Sequence, residues 1–262
     1  MCEATSGSNH ANRQSTTRDH NLCPKIVLEG TRMTHKTEIA FALNEHPKFI
    51  GPRKYRYHSP IISAEWGGMQ NQAWGQNLIP FDKEHEDYAL ETFELWIKLM
   101  EHMPYISWIV DRFHHSTLMY QKLYHHRDYD LDWIEKRLVR LGFRLVLCYR
   151  EPKTFGKARQ ERLKISGNPS QYDDVRRFAR EQDALLDIFG DSALPKLIVD
   201  ATDDNVARIT EEIADWFQTP FVRESKRLSP SEQADSLQTI GEPWIAKFER
   251  SRLSALSDFK KK

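Results

Sequence analysis

One stretch constrains the fold of this chain more than any other: Lys25-Ile26-Val27-Leu28-Glu29-Gly30-Thr31-Arg32-Met33-Thr34-His35-Lys36-Thr37. An apolar run reaches a glycine, and a His-Lys-Thr triplet follows after four intervening residues. Against the phosphate-cradling template G-x-x-x-x-G-K-[ST], Gly30, Lys36 and Thr37 are in register, while His35 stands where the second glycine belongs. The physical logic is a strand that turns sharply at Gly30. Successive backbone N–H groups then surround an anion, and a helix N-terminus begins near Lys36. A buried strand followed by an ordinary lysine-bearing loop fits this stretch alone as well.

The remaining pattern alternates strands with helices. Helical apolar spacing runs from Lys36 to Leu43 and again from Glu84 to Met103. Phe49-Ile50-Gly51-Pro52 is expected to be a short second strand, and Tyr105 to Val110 a buried strand that delivers Asp111 and Arg112 at its exit. Helices are expected through Tyr124, over Leu131 to Leu141 up to Gly142, from Pro152 to Leu163 and from Tyr172 to Phe189. Phe143 to Tyr149 and Leu194 to Asp200 complete the strands, and Asp203 to Phe217 is the last long helix. This order predicts a mainly parallel five-stranded sheet with helices on both faces. Ligands in such sheets sit at the carboxyl ends of the strands, where Gly30, Glu65 and Asp111-Arg112 project. Residues 53–82 are irregular and mix cations, aromatic rings and glycines. They read either as a clamp for a planar anion or as a surface loop whose rings pack locally.

Three segments are expected: a polar leader over 1–22, a domain over 23–219, and a polar extension over 220–262 with one short docked helix near Trp244, Ile245 and Phe248. Thirty-eight basic against thirty-eight acidic residues give a formal net charge of zero, which argues against bulk electrostatic affinity for nucleic acid and leaves room for a local basic pocket. Three widely spaced cysteines offer neither metal spacing nor a disulfide framework, pointing to a reducing, cytoplasmic setting. No run approaches the roughly 20 apolar residues of a membrane span, so no membrane partner is expected. His114-His115 and His125-His126 invite a metal reading. On a helix the two pairs lie roughly 16 Å apart at about 1.5 Å per residue, too far to share one ion.

An acid and an arginine at a strand exit suit phosphoryl transfer: the guanidinium forks onto phosphate oxygens while the carboxylate orients a magnesium-bound water or a hydroxyl. A strand-end ion pair accounts equally well for the two residues taken alone. Asp111, Arg112, Phe113, Ser116, Met119, Tyr120 and Gln121 resemble the D-R-Y-x-x-S-x-x-A-Y-Q signature of thymidylate kinases, with Phe for Tyr and Met for Ala. Glu29-Gly30 is similar to that family's E-G start, and Glu65-Trp66-Gly67-Gly68 to its R-E-P-G-G segment, with Ala64 and Trp66 departing. Tyr149 to Arg162 and Pro195 to Phe217 resemble its lid approach and its last strand and helix. The resemblance spans about Pro24 to Gln218 and implies a P-loop NTPase three-layer sandwich. Deoxynucleoside kinases share the architecture with a different acid-arginine motif.

The resemblance implies an ATP- and magnesium-dependent kinase acting on dTMP or a modified nucleoside monophosphate. Gly30, Thr31, Arg32, Met33, Thr34, His35 and Lys36 would cradle the ATP phosphates, with Arg159 and Arg162 as cations of a basic lid beside Lys157 and Lys164. Thr37 and Asp111 would hold magnesium. Lys36, Asp111, Arg112 and Glu65 would carry catalysis. Glu65, Arg112, Phe113, Ser116, Tyr120 and Gln121 would bind the acceptor. A homodimer is a further expectation from the resemblance. His35 brings a side chain to a position where glycine normally lets the backbone approach phosphate. Two other readings therefore stay open: a non-catalytic nucleotide-binding protein, and a kinase for a nucleoside or other small-molecule hydroxyl.

Overall fold

The computed structural model describes residues 24–50, 59–65, 77–104 and 106–218. The expected leader, the C-terminal extension with its docked helix, the Tyr55–Tyr57 cluster and Trp66-Gly67-Gly68 lie outside the described residues. Five strands, β1 (Lys25–Glu29), β2 (Ile61–Ile62), β3 (Trp108–Asp111), β4 (Arg144–Tyr149) and β5 (Lys196–Asp200), form one sheet in the order β2-β3-β1-β4-β5. Every neighbouring pair is parallel, with Leu28 opposite Asp111 on one side of β1 and Val146 on the other. Among the described residues seven α-helices lie between the strands and one follows the last: α1 (Lys36–Glu45), α2 (Pro47–Ile50), α3 (Glu86–His102), α4 (His114–Tyr120), α5 (Asp132–Leu141), α6 (Phe155–Leu163), α7 (Val175–Asp191) and α8 (Val206–Gln218).

Parallel strands covered on both faces bury successive side chains in opposite directions, so their sequences read as continuous apolar runs. Ile26 and Leu28 enter one core with Ile109, Val146 and Cys148, lined by α1 and α8. Val27 enters the other with Val110, Leu145 and Leu147, lined by α3, α5 and α7. Ile26, Val27 and Leu28 are all fully buried. Each such side chain contributes about 1.5–3 kcal/mol of hydrophobic transfer free energy. The expected strand over Phe49 to Pro52 is corrected at its first two residues, Gly51 and Pro52 lying outside the described residues: Phe49 belongs to the short helix α2, where its ring packs edge-on against Phe217 at 5.4 Å. The actual edge strand, β2, comes later and pairs with β3 through only two residues. Helix α4 passes directly into a π-turn over Gln121–His125, and α5 ends at Gly142 in the left-handed region with φ 77°.

The chain builds from β1 outward to β2 and β3, then crosses back over β1 to β4 and β5. Winding direction therefore reverses at β1, the position where open α/β sheets form their crevice. Gly30 leaves β1 at φ 147°, and a Cβ added there would lie 2.7 Å from the Cys148 carbonyl oxygen and 2.9 Å from Thr34 Oγ1. Backbone carbonyl and strained φ both oppose any side chain. Gly30→Ala is expected to destabilise the fold by about 3 kcal/mol or more, read as a lowered denaturant midpoint; a midpoint equal to wild type would refute this account of the turn.

Candidate functional site

Glu29, the last residue of β1, is a buried carboxylate. It accepts hydrogen bonds from the backbone N–H of Phe113 at 2.9 Å, from that of Ser116 at 3.3 Å and from the Ser116 hydroxyl at 2.5 Å. The unsatisfied donors at the start of α4 are thereby met by a side chain from the central strand. Next along the chain, the loop from Gly30 to His35 curls back on itself. The Thr34 hydroxyl donates to Thr31 O at 2.8 Å and Lys36 Nζ donates to the same carbonyl at 2.7 Å. Burial, followed by the nearby Arg112 charge, lowers the Lys36 pKa from its ordinary value.

His35 adopts the left-handed conformation at φ 58°, and Met33 does so at 64°. Glycine takes this conformation without cost, whereas a residue with a Cβ loses roughly 1–2 kcal/mol there, and histidine is among the side chains that tolerate it best. Contacts from outside the loop offset the cost. His35 Nε2 lies 2.8 Å from Asp204 Oδ1, and Asp204 in turn receives the buried Arg150 guanidinium. Arg150 Nε donates to Met33 O at 2.7 Å. Arg150 itself is clamped by Gln182, which accepts from its backbone N–H and donates to its carbonyl, both at 2.8 Å.

Asp111 ends β3 beside this loop. Its Oδ2 accepts from the Thr37 hydroxyl at 2.5 Å, and its Oδ1 is buried with no hydrogen-bond partner. Burial raises its pKa despite the opposing pull of Lys36. Arg112 follows at φ 64°, an uncommon conformation that turns its side chain back onto the loop. Its Nε and Nη2 donate to Gly30 O at 3.3 and 3.2 Å, and its Nη1 donates to Glu65 Oε2 at 3.4 Å. Glu65 also accepts from Arg32 at 2.6 Å. Burial favours the protonated form of Glu65, but Arg112, Arg32 and Lys36 together outweigh it and hold its pKa below the usual value.

A cleft opens beside this group. Arg32, Arg112 and Arg177 supply its cations, Glu65 and Glu181 its carboxylates, and Tyr120 an aromatic wall. Arg177 Nε donates to Glu181 at 2.7 Å, Tyr124 donates to the same oxygen at 2.9 Å, and the guanidinium of Arg177 lies 4.9 Å from the Tyr124 ring centre. Arg177 and Glu181 were invisible to motif reasoning because they sit on α7, within no recognisable pattern. Their only sequence signal is the i, i+4 spacing of an ordinary helical ion pair.

The structure gathers Lys36, Thr37, Asp111, Arg112, Glu65 and Arg32 at the ends of β1 and β3, with Tyr120 in the adjoining cleft. Three residues expected to bind the acceptor lie elsewhere. Phe113 is fully buried between Phe93, at 5.0 Å, and Trp96, stacked at 6.0 Å. Ser116 is committed to Glu29, and the Gln121 amide donates to Ile79 O and Phe81 O at 3.0 and 2.9 Å, so each serves the interior rather than the cleft. The two lid arginines diverge as well. Arg162 bonds Glu38 on α1 at 3.0 Å, whereas Arg159 turns away to Tyr172 O and Asp173. Among the described residues no helix is long and apolar enough to cross a membrane.

No protein-family model matches this chain, and neither does any curated protein sequence. Among solved structures it is similar to the YorR protein from Bacillus subtilis, determined in complex with phosphorylated GDP, at 18% identity over 74% of this chain and 95% of that one, with a TM-score of 0.50. Thymidylate kinase from Ehrlichia chaffeensis aligns at 16% identity over 74% and 98% of the two chains, TM-score 0.47. Deoxyadenosine kinase from M. mycoides with bound dATP aligns at 15% identity over 74% and 100%, TM-score 0.46. With its all-parallel sheet and the likeness to YorR, the chain has the three-layer P-loop α/β fold that the thymidylate kinase-like resemblance implies.

Proposed function

We propose that the protein is an ATP-dependent phosphotransferase that moves the γ-phosphoryl group to a nucleotide, dTMP or a modified nucleoside monophosphate. One observation carries this reading: the Arg112 guanidinium donates to the carbonyl of Gly30, so an acceptor-binding arginine and a phosphate loop meet at the ends of adjacent strands. Phosphoryl transfer asks a protein for alignment and charge neutralisation above all. Lys36 and the loop N–H groups would bind the donor phosphates. Arg112 would bridge the acceptor and the migrating group, its fork freed from Glu65 by the stronger anion. Arg177 would bind the acceptor phosphate from the far wall, with Tyr120 stacking on the base.

The donor set beside the loop fits magnesium. Asp111 offers a buried, unpartnered oxygen and Thr37 a hydroxyl, hard ligands of the kind this ion prefers. When bound, the ion would neutralise charge on the phosphate oxygens. In a coupled assay over a panel of nucleosides and monophosphates, wild type is expected to turn over in a magnesium-dependent manner. Arg112→Ala is expected to lower kcat by about 10³-fold or more, and Arg177→Ala to act mainly on the KM for the acceptor. A folded wild-type protein inert across the whole panel would sink the proposal.

His35 favours a second reading, a nucleotide-binding protein that has kept the fold without the reaction. Its side chain, rather than a glycine, shapes the loop. His35→Gly separates the two. A catalytic loop limited by His35 gains activity in the variant, whereas a silent binder keeps Mg-ATP affinity by calorimetry and gains none.

The same histidine gives a pH signature. The Glu38 carboxylate 3.9 Å from the ring chiefly, then contacts with Asp204, raise its pKa above 6.5 against the lowering effect of burial. Glu38 is correspondingly depressed to about 2. The contribution of a raised histidine is fully present below its unfolded pKa and fades as pH climbs through the folded value; that of Glu38 is present above about 4.5 and is lost only near 2. Wild type should therefore lose up to about 1 kcal/mol of stability between pH 6 and 8 that His35→Gly does not lose, a modest figure because Glu38 and Asp204 are both more than a third exposed. Parallel pH–stability curves for the two proteins would refute the contact's role.

A further inference from the structure

Beyond the cleft, His114, His115 and Glu135 bring their potential ligand atoms within 4.8 Å of one another. The two histidines begin α4, immediately after Asp111-Arg112-Phe113, and Glu135 projects from α5. His115 Nε2 lies 3.0 Å and His114 Nε2 3.4 Å from the same carboxylate oxygen, Glu135 Oε1, and the two imidazole centres are 4.1 Å apart. Around a tetrahedral zinc ion with bonds of about 2.0–2.1 Å, ligand atoms stand about 3.3 Å from each other. The two nitrogen–oxygen distances already match that spacing.

We propose that His114, His115 and Glu135 form a binding site for a zinc-class divalent transition metal, with the fourth position open to water. Two imidazoles and one carboxylate are a donor set that selects zinc over magnesium, because nitrogen ligands suit borderline ions. The fold prepares the carboxylate for this role. Ser192 Oγ donates to Oε1 at 2.6 Å and the Ala193 N–H donates to Oε2 at 2.8 Å, fixing Glu135 from the end of α7. Oε1 is approached by the Ser192 hydroxyl and by Nε2 of both rings. Glu135 and Ser192 are each partly exposed and Ala193 is exposed, so this edge of the cluster faces solvent.

This site is separate from the Thr37–Asp111 pair and takes no part in phosphoryl transfer. Its effect is to pin the N-terminus of α4, the helix that follows Arg112, to α5 and the end of α7. The full-length protein, treated with chelator and dialysed against Zn²⁺ alone without nucleotide, is expected to retain one ion per chain by elemental analysis. Zinc at a hundredfold excess over Kd should raise Tm by about 5–10 °C. Co²⁺ should give the intense visible absorption of a four-coordinate site. His115→Gln and Glu135→Gln should weaken binding by more than the roughly 10- to 100-fold typical of an outer-shell partner, while a His125→Gln/His126→Gln double variant binds like wild type. Binding that survives both ligand substitutions, or no stoichiometric uptake, would overturn the proposal. The cobalt spectrum needs no variant, so a weak six-coordinate band in wild type overturns it even if a ligand variant fails to fold.

Discussion

A single buried carboxylate holds the site together. Glu29 closes the central strand and takes up the free N–H groups at the start of α4, the helix that follows Arg112. Gly30 is its immediate chain neighbour. The loop and the arginine are thus separated by one side chain and a few backbone atoms, all inside the protein where a displaced partner would leave an unpaired charge. Breaking a buried, hydrogen-bonded charge of this kind costs several kcal/mol.

Charge is distributed around that hinge with near balance. Lys36, Arg112 and Arg32 face Asp111 and Glu65 at the strand ends: burial and then Arg112 lower the Lys36 pKa, burial raises that of Asp111 against Lys36, and the surrounding cations hold that of Glu65 low. For Arg112, burial favours the neutral form, but Glu65, Glu181, Glu29 and Asp111 outweigh it and keep the guanidinium charged. Arg112 and Arg32 both hydrogen-bond Glu65, and Lys36 the Thr31 carbonyl, so these charges converge on one small region at the strand ends. The chain's zero formal net charge hides this local concentration.

What could be read in the sequence follows from how each feature is encoded. β1, β3, β4 and β5 were legible because a strand buried on both faces is an uninterrupted apolar run. β2 was not, since its two residues are defined by pairing with Ile109 and Val110 and carry no local signal, while Phe49 looked strand-like and instead packs from a short helix. The spacing of Asp111, Arg112, Ser116, Tyr120 and Gln121 was legible, but spacing does not say which way a side chain points. Tyr120 faces the cleft, whereas Phe113, Ser116 and Gln121 turn inward to aromatic rings, Glu29 and two backbone carbonyls. Arg177, Glu181 and Glu135 reach their partners from helices far along the chain, and contacts of that separation leave no contiguous trace.

The His35–Asp204–Arg150 contact carries the same point into heredity. Positions 35 and 204 are 169 residues apart, yet Asp204 touches both the histidine and the arginine that grips Met33. Where a glycine-shaped loop can be inherited as one short word, this one descends as three scattered letters. A change at 204 or 150 would remove a contact to the loop without altering a residue in it. Homologues are therefore to be sought by the co-occurrence of all three positions, and a lineage that restored glycine at 35 would be free to let the other two drift.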